Sequence, residues 1–145
     1  MATQAQLILD SGDIAGDPVN VDTGLVTLTK NESLNDLDQS TGLSRVHLRS
    51  TTNKVLLAAN AEGNDLASKV YIINKSDDSA LYVTVTINAQ TIGKLYGGDF
   101  MFIPWSQTDT AASIEVAATN WTSSTGDIPV EYVQFHEDTD FLTNA

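Results

Sequence analysis

The chain has 145 residues, a net charge of −12 and no cysteine. This length suits a single domain, 1–145, which buries roughly 68–70% of its unfolded surface. The lack of cysteine excludes thiol catalysis and Cys-ligated zinc or iron–sulfur sites. No apolar run reaches the ~18 residues of a membrane span. The N-terminus lacks the basic and apolar regions of a signal peptide, so we expect a protein made and kept in the cytoplasm, without a membrane partner.

The charges are unevenly distributed along the chain. Residues 1–42 carry seven acids and one base, residues 43–97 carry six bases and four acids, and residues 98–145 carry eight acids and no base. A nucleic-acid-binding protein needs a basic surface that releases counterions from phosphates. The sequence therefore argues against direct binding of DNA or RNA. Solubility is the preferred explanation of the acidity, and binding to a basic partner is the second explanation.

The first part of the chain predicts short strands separated by acidic loops. Residues 4–9 (QAQLIL) form a candidate strand, and a loop rich in Gly, Asp and Pro follows. Residues 25–29 (LVTLT) alternate in the manner of a strand. Residues 30–42 form a second acidic loop, in which two leucines fit a single helical turn.

The strand signal is stronger from residue 43 onward. Residues 43–50 (LSRVHLRS) alternate, and residues 54–59 fit either a strand or a short helix. Residues 69–74 (KVYIIN) have the composition of a buried strand. A turn is predicted at 76–79, and residues 80–88 (ALYVTVTIN) show the clearest alternation in the chain, followed by a turn at Ala89–Gln90.

The last part of the chain continues this pattern. Residues 91–96 lead into a Gly-Gly-Asp turn and an apolar strand at 100–105, and a further strand is predicted at 112–119. Residues 127–137 form the final strand, whose proline predicts a bulge or an edge position. About eight to ten short strands with almost no helix predict an all-β fold, an antiparallel β-sandwich of jelly-roll type or a barrel. Residues 138–145 are predicted to form a flexible tail.

Few residues suggest catalysis or metal binding. His47 and His136 are far apart in sequence, and neither lies in a metal or catalytic motif. Paired acids such as Asp10 and Asp13 could support glycoside hydrolysis or bind Ca²⁺. They lie in turns, however, and turn formation and solubility explain them better. We therefore expect no catalytic residue, no metal and no cofactor.

The stretch 95–105 (LYGGDFMFIPW) breaks the alternation seen elsewhere, because both faces of its strand are apolar. A single sandwich offers one core, so the second face needs a cover. A neighbouring subunit or another partner could supply it, and so could one of the acidic loops of the same chain, 10–22 or 30–42. Trp121 lies in a predicted loop and either anchors a partner or packs over the end of the sandwich. The candidate interface residues are Phe100, Met101, Phe102, Ile103, Trp105 and Trp121.

Residues 69–136 also show a recognisable order of elements. A buried strand ending in Asn leads to a polar turn, an alternating strand, a Gly-Gly-Asp turn and an aromatic strand ending in Pro. The turn and strand patterns "L-x-x-G-D/E-F" and "F-x-F-I-P", with a later "V-E-Y", are matched by Leu95, Gly98, Asp99, Phe100, Phe102, Ile103, Pro104, Val130, Glu131 and Tyr132. In these residues the chain resembles the small all-β structural proteins of tailed bacteriophages.

The resemblance covers about half of the chain, and residues 1–68 match no pattern. It implies a non-enzymatic virion protein, specifically a capsid decoration (cement) protein with a β-sandwich fold. Its implied partner is the major capsid protein, and it would be a homo-oligomer, with a trimer favoured, on the exterior of capsids assembled in the host cytoplasm. The alternative is a tail-fibre or adhesin module that binds a cell-surface glycan through Trp105 and Trp121. A glycosidase-type enzyme is a third hypothesis.

Overall fold

A computed structural model describes residues 3–12, 16–29, 37, 39–59, 67–106 and 113–136, and the regular structure in these ranges is entirely β-strand. The strands are β1 (Gln4–Ala5), β2 (Ile8–Asp10), β3 (Asn20–Asp22), β4 (Val26–Thr27), β5 (Gln39–Ser40), β6 (Ser44–Leu48), β7 (Lys54–Leu57), β8 (Ala67–Asn74), β9 (Tyr82–Ile87), β10 (Gln90–Tyr96), β11 (Phe100–Ser106), β12 (Ile114–Ala117) and β13 (Ile128–His136). The predicted all-β fold is confirmed.

Strands β6 to β13 form two antiparallel sheets that pack as a sandwich. The first sheet has the order β6-β13-β8-β11, with the short β5 also pairing with β13, and the second sheet has the order β10-β9-β12-β7. Consecutive strands alternate between the sheets except at the β9–β10 hairpin. This is the strand order of a jelly roll, and the predicted antiparallel, jelly-roll-like sandwich is therefore confirmed.

The core lies between the two sheets, because every second residue of each strand points inward. In β9, Val83 and Val85 are buried while Tyr82 and Thr84 face outward. The same alternation in β6 buries Leu48, and residues 54–57 form a strand rather than a helix. The core contains Leu48, Leu56, Val70, Ile72, Leu81, Val83, Val85, Leu95, Trp105, Ile114, Val116, Ala118, Ile128 and Val130.

The N-terminal and C-terminal predictions need correction. Residues 4–9 form parts of two strands, β1 and β2, which pair with β4 and β3 outside the sandwich. Most of the loop at 30–42, including its predicted helical turn, and the predicted tail at 138–145 lie outside the described residues. Leu37, one of the two leucines of that predicted turn, is among the described residues and is fully buried.

The predicted bulge at Pro129 is not present, because β13 pairs with β6 through this residue without a shift. The Pro129 carbonyl accepts a hydrogen bond from the Lys75 N–H at 2.8 Å. The nitrogen and the carbonyl of a strand residue point to the same side, so the Pro129 nitrogen also faces that side. Pairing of β13 with β8 begins only at Val130. Proline at this position therefore removes no ladder hydrogen bond.

The turn of the β9–β10 hairpin lies one residue earlier than predicted. Asn88 and Ala89 both have positive φ, 53° and 59°. A two-residue turn with both residues in this region matches the right-handed twist of a hairpin. Asn tolerates this conformation, whereas the Cβ of an alanine makes it unfavourable by roughly 1–2 kcal/mol.

We expect Ala89→Gly to stabilise the protein by about 0.5–1 kcal/mol, because glycine removes the Cβ strain but loses more backbone entropy on folding. Urea denaturation monitored by circular dichroism measures the change. Ala80→Gly is the matched control, since Ala80 is also an exposed turn residue and does not have a positive φ. The control should be destabilised, and a destabilised Ala89→Gly would contradict the assigned turn.

Candidate interaction surface

The aromatic strand β11 divides its side chains between the core and the exterior. Trp105 is 5% exposed and lies in the core, and Met101 and Ile103 pack against the same core. Phe100 and Phe102 are 58% and 40% exposed on the opposite face. Of the predicted interface residues in this strand, only these two phenylalanines therefore point away from the core. Trp105, although a candidate interface residue, therefore lies on the core face.

The register between β11 and β8 explains this division. It places Met101, Ile103 and Trp105 opposite Ile72, Val70 and Ser68. Directly paired residues of neighbouring strands share one face of the sheet, and the β8 partners are buried. On the outer face, the rings of Phe100 and Tyr71 lie 6.1 Å apart. The sequence alone gave no reason to prefer one apolar face of β11 over the other.

The N-terminal residues form a two-stranded ribbon beside the sandwich, built from β1–β4 and β2–β3. At its base, the Leu28 N–H donates to the Thr3 carbonyl at 2.9 Å and the Leu37 N–H donates to the Leu28 carbonyl at 2.9 Å. Leu28 and Leu37 are both buried. The base of the ribbon is therefore anchored by packing and backbone hydrogen bonds.

Further from its base the ribbon exposes an unusual amount of apolar surface. Leu9 pairs with Val21 on one face, and Ile8 pairs with Asp22 on the other. Of the thirteen large apolar or aromatic side chains that are exposed in the described ranges, seven belong to the ribbon: Leu7, Ile8, Leu9, Val19, Val21, Leu25 and Val26. An isolated two-stranded ribbon is marginally stable in water.

A groove of about 490 Å³ separates the ribbon from β11. Its lining residues are Ala5, Gln6, Leu7, Thr23, Val26 and Leu28 from the ribbon, and Phe100, Met101 and Phe102 from β11. The outer aromatic face of β11 is thus partly bordered by the same chain, and the lining residues on the opposite side belong to the ribbon. The phenylalanine rings remain substantially exposed, and the groove stays open.

The second tryptophan of the predicted interface is placed differently. Trp121 is partly buried and packs against the core at the end of the sandwich. Its indole Nε1 is buried and has no hydrogen-bond partner within the described part of the chain. The structure therefore places Trp121 over the end of the sandwich, and it does not present Trp105 and Trp121 together to a glycan.

The Gly-Gly-Asp motif has a structural role at the crossing from the second sheet to the first. Gly98 has φ of +94°, which favours glycine. The Asp99 carboxylate accepts a hydrogen bond from the Tyr96 N–H at 3.0 Å, and the Asp99 carbonyl accepts one from the Asn74 N–H at 3.0 Å. These contacts fix the turn that starts β11, so the motif explains how the aromatic strand is positioned.

The charged and titratable residues do not converge on a site. His47 is exposed on the outer face of the first sheet, whereas His136 is buried on its inner face. Arg45 and Arg49 form ion pairs with Glu131 and Asp127 on the outer face. Among the described residues, no group of three or more His, Asp or Glu side chains could hold a metal ion. Within the same ranges, no helix is long and apolar enough to span a membrane.

Sequence reasoning missed a buried polar cluster in the first sheet. The Ser68 hydroxyl donates to the Trp105 carbonyl at 3.1 Å, and the Gln134 side-chain amide donates to the Ser68 hydroxyl at 3.2 Å. The only signal available in advance was a polar residue at an inward position of an apolar strand. Because buried polar groups need partners, the cluster fixes the relative positions of β8, β11 and β13.

No family model matches this chain, and no curated protein matches it. The resemblance of residues 69–136 to phage structural proteins therefore rests on the sequence pattern itself. The jelly-roll strand order is compatible with that resemblance, but one fold can carry many unrelated functions.

Proposed function

We propose that this chain is a non-enzymatic structural protein of a virion, a capsid decoration protein. It would bind the major capsid lattice on the capsid exterior as a homo-oligomer, with a trimer favoured. The observation that supports this best is the open apolar surface formed by the N-terminal ribbon and the outward rings of Phe100 and Phe102. The sequence resemblance supplies the virion context, and the jelly-roll order agrees with the fold that it implies.

The physical argument concerns the amount of apolar surface left in water. Soluble monomers rarely expose large contiguous apolar patches, and such patches commonly mark protein–protein contacts. Full burial of one large apolar side chain contributes roughly 1.5–3 kcal/mol. The ribbon carries several such side chains and is marginally stable in isolation. A partner that buries them would therefore gain binding free energy and stabilise the ribbon.

The direct test is electron cryomicroscopy of the phage particle whose genome encodes this chain. The proposal expects symmetric density that fits the jelly roll on the outer surface of the capsid. Particles from a deletion mutant should lack that density and regain it when purified protein is added. Density confined to the tail, or no density on the particle, would overturn the decoration role.

We expect Phe100→Ser to weaken binding to the capsid lattice and to leave the fold nearly intact, because the ring is mostly exposed in the single chain. The free energy of unfolding should change by less than about 1 kcal/mol. Co-sedimentation with particles from the deletion mutant measures binding, and urea denaturation measures stability.

Trp105→Phe is the control for the Phe100 variant, because it changes an aromatic residue of the same strand on the core face. It should lower the free energy of unfolding by about 1–2 kcal/mol and leave capsid binding unchanged. A wild-type chain that sediments as a monomer at all concentrations would rule out the homo-oligomer.

A further inference from the structure

Strand β11 ends the first sheet and has an open edge, since β8 is its only ladder partner among the described strands. The backbone hydrogen bonds of β8 show which residues of β11 face it. The N–H of Asn74, the last residue of β8, donates to the Asp99 carbonyl, just before β11, at 3.0 Å. Alternate residues of a strand point these groups to the same side. Ile72 therefore also points toward β11, where it pairs with Met101.

It follows that the backbone N–H and C=O of Met101 point toward β8. The backbone groups of the alternate residues Phe100, Phe102 and Pro104 point toward the open edge. Pro104 agrees with this assignment, because a proline in a sheet turns its missing N–H away from the neighbouring strand. Proline also blocks pairing at its own position. The open edge therefore offers N–H donors at Phe100 and Phe102 and none at Pro104.

The groove lies beside the part of the edge that can still pair. Phe100, Met101 and Phe102 line it although Met101 belongs to the core face. Three consecutive residues of a strand can line one groove when it runs along the strand's edge. The volume of about 490 Å³ falls within the range of about 300–1,000 Å³ that is typical of binding pockets. An extended segment placed there would find backbone partners and apolar walls.

The charged residues of the two segments that line the groove are of one sign, and the base Lys69 lies opposite Pro104 on the neighbouring strand β8. In the described residues 3–12, 16–29 and 99–106, every charged side chain is an acid: Asp10, Asp17, Asp22 and Asp99. A hydrogen bond from the Gln6 side chain, followed by one from the Gly24 N–H, lowers the pKa of Asp22 and keeps it ionised. Such a field attracts basic partners and disfavours acidic ones.

We infer that the groove binds an extended apolar segment flanked by Lys or Arg, which adds as a strand to the open edge of β11 at Phe100–Phe102. Strand addition draws affinity from backbone hydrogen bonds and specificity from alternate side chains. A second copy is a poorer occupant, because its own exposed apolar ribbon carries Asp10, Asp17 and Asp22. The inference rests on the proposed function only for the source of the segment, which would be the capsid protein.

The test uses synthetic peptides and ¹⁵N-labelled full-length chain, so it needs no virion component. The probe is acetyl-Lys-Val-Thr-Val-Thr-Val-Lys-amide, and the matched peptide replaces both lysines by glutamate. In ¹H–¹⁵N spectra, the basic peptide should shift the amides of Phe100, Phe102 and residues 5–7. The glutamate peptide should bind about tenfold more weakly at low ionic strength, and added salt should reduce that difference.

A pair of variants separates the backbone edge from the aromatic ring. Phe102→Pro removes the open N–H in the way that Pro104 already does, and it should weaken peptide binding by about tenfold relative to Phe102→Ala, which keeps the N–H. A peptide N-methylated at its second and fourth residues, both valines, tests the same hydrogen bonds with the wild-type chain, in case Phe102→Pro does not fold. It should bind weakly or not at all.

Three outcomes would overturn the inference. The first is the absence of shifts at the β11 edge, and the second is equal binding of the lysine, glutamate and N-methylated peptides. The third is a concentration-dependent shift of the same amides without peptide, which would assign the groove to a second copy. If the capsid imaging succeeds and the peptides fail, only the groove inference falls. If the peptides bind and the imaging fails, only the virion role falls.

Discussion

Replacing Asn74 by leucine should lower the free energy of unfolding by about 4 kcal/mol, because three polar groups lose their partner at about 1–3 kcal/mol each. Asn74 is fully buried at the end of β8. Its side-chain amide donates to the carbonyls of Leu81 and Leu95 at 3.1 and 2.9 Å, and its oxygen accepts from the Ser76 N–H at 2.9 Å. This side chain thereby connects β8 of the first sheet with Leu81, at the end of the β8–β9 turn, and with Leu95 in β10 of the second sheet. Urea denaturation measures the loss.

Two further variants define the cause of this loss. Asn53→Ala is the control, because the Asn53 side chain bonds Glu115 at an exposed position, and its removal should change stability by no more than about 0.5 kcal/mol. Asn74→Asp keeps the shape but places a carboxylate against two carbonyls.

Burial and the missing donors raise the pKa of that new carboxyl above its unfolded value. A raised pKa in the folded state means that stability is present at low pH and is lost as the pH rises through the folded pKa. Relative to the wild type, Asn74→Asp should therefore gain stability on acidification. A pH-independent difference, or a mild Asn74→Leu, would show that these hydrogen bonds are not formed.

Gly97→Ala should destabilise the protein by about 3 kcal/mol, at the upper end of the usual cost of overpacking. A Cβ at this position would lie 2.5 Å from the carbonyl oxygen of Asp78 and 2.7 Å from that of Ser76. Both are backbone atoms, so neither can move aside by a rotamer change. The β8–β9 turn packs directly on Gly97, and an added methyl group would force this turn away from the start of β11.

Gly93→Ala is the matched control for Gly97, because Gly93 lies in the same strand region and an added Cβ would meet nothing within 4 Å. Its free energy of unfolding should stay the same or rise by up to about 1 kcal/mol, since alanine reduces the entropy of the unfolded chain. Equal effects of the two alanines in urea denaturation would contradict the close packing at Gly97. Because Gly97 and Asn74 share the turn at 76–79, their combined effects should deviate from additivity.

Local sequence patterns determined much of the fold. The alternation in residues 80–88 predicted the inward and outward faces of β9, because side chains in a strand point to opposite faces with a period of two. The apolar composition of residues 69–74 predicted β8 for the same reason. The Gly-Gly-Asp turn was identified from residues that tolerate positive φ. Residues 4–9 were predicted as one strand but contribute to two, because apolar alternation does not reveal which strand is the pairing partner.

The candidate surface was only half predictable. The sequence showed that both faces of residues 100–105 are apolar, but only the pairing of β11 with β8 decided that Trp105 points inward and that Phe100 and Phe102 point outward. A one-residue change of register would have reversed this result. The sequence of residues 3–12 and 16–29 gave no sign that they form a ribbon beside β11, because that arrangement depends on contacts between distant parts of the chain.

Composition, charge and periodicity by themselves determined the all-β class of this protein, its acidity and its unusual doubly apolar strand, since these properties depend on single residues and their nearest neighbours. The jelly-roll order, the buried role of Asn74, the open edge left by Pro104 and the groove beside it were decided only by the tertiary structure. Each of these requires two segments far apart in sequence to meet in one register. Local periodicity carries no information about which segments meet.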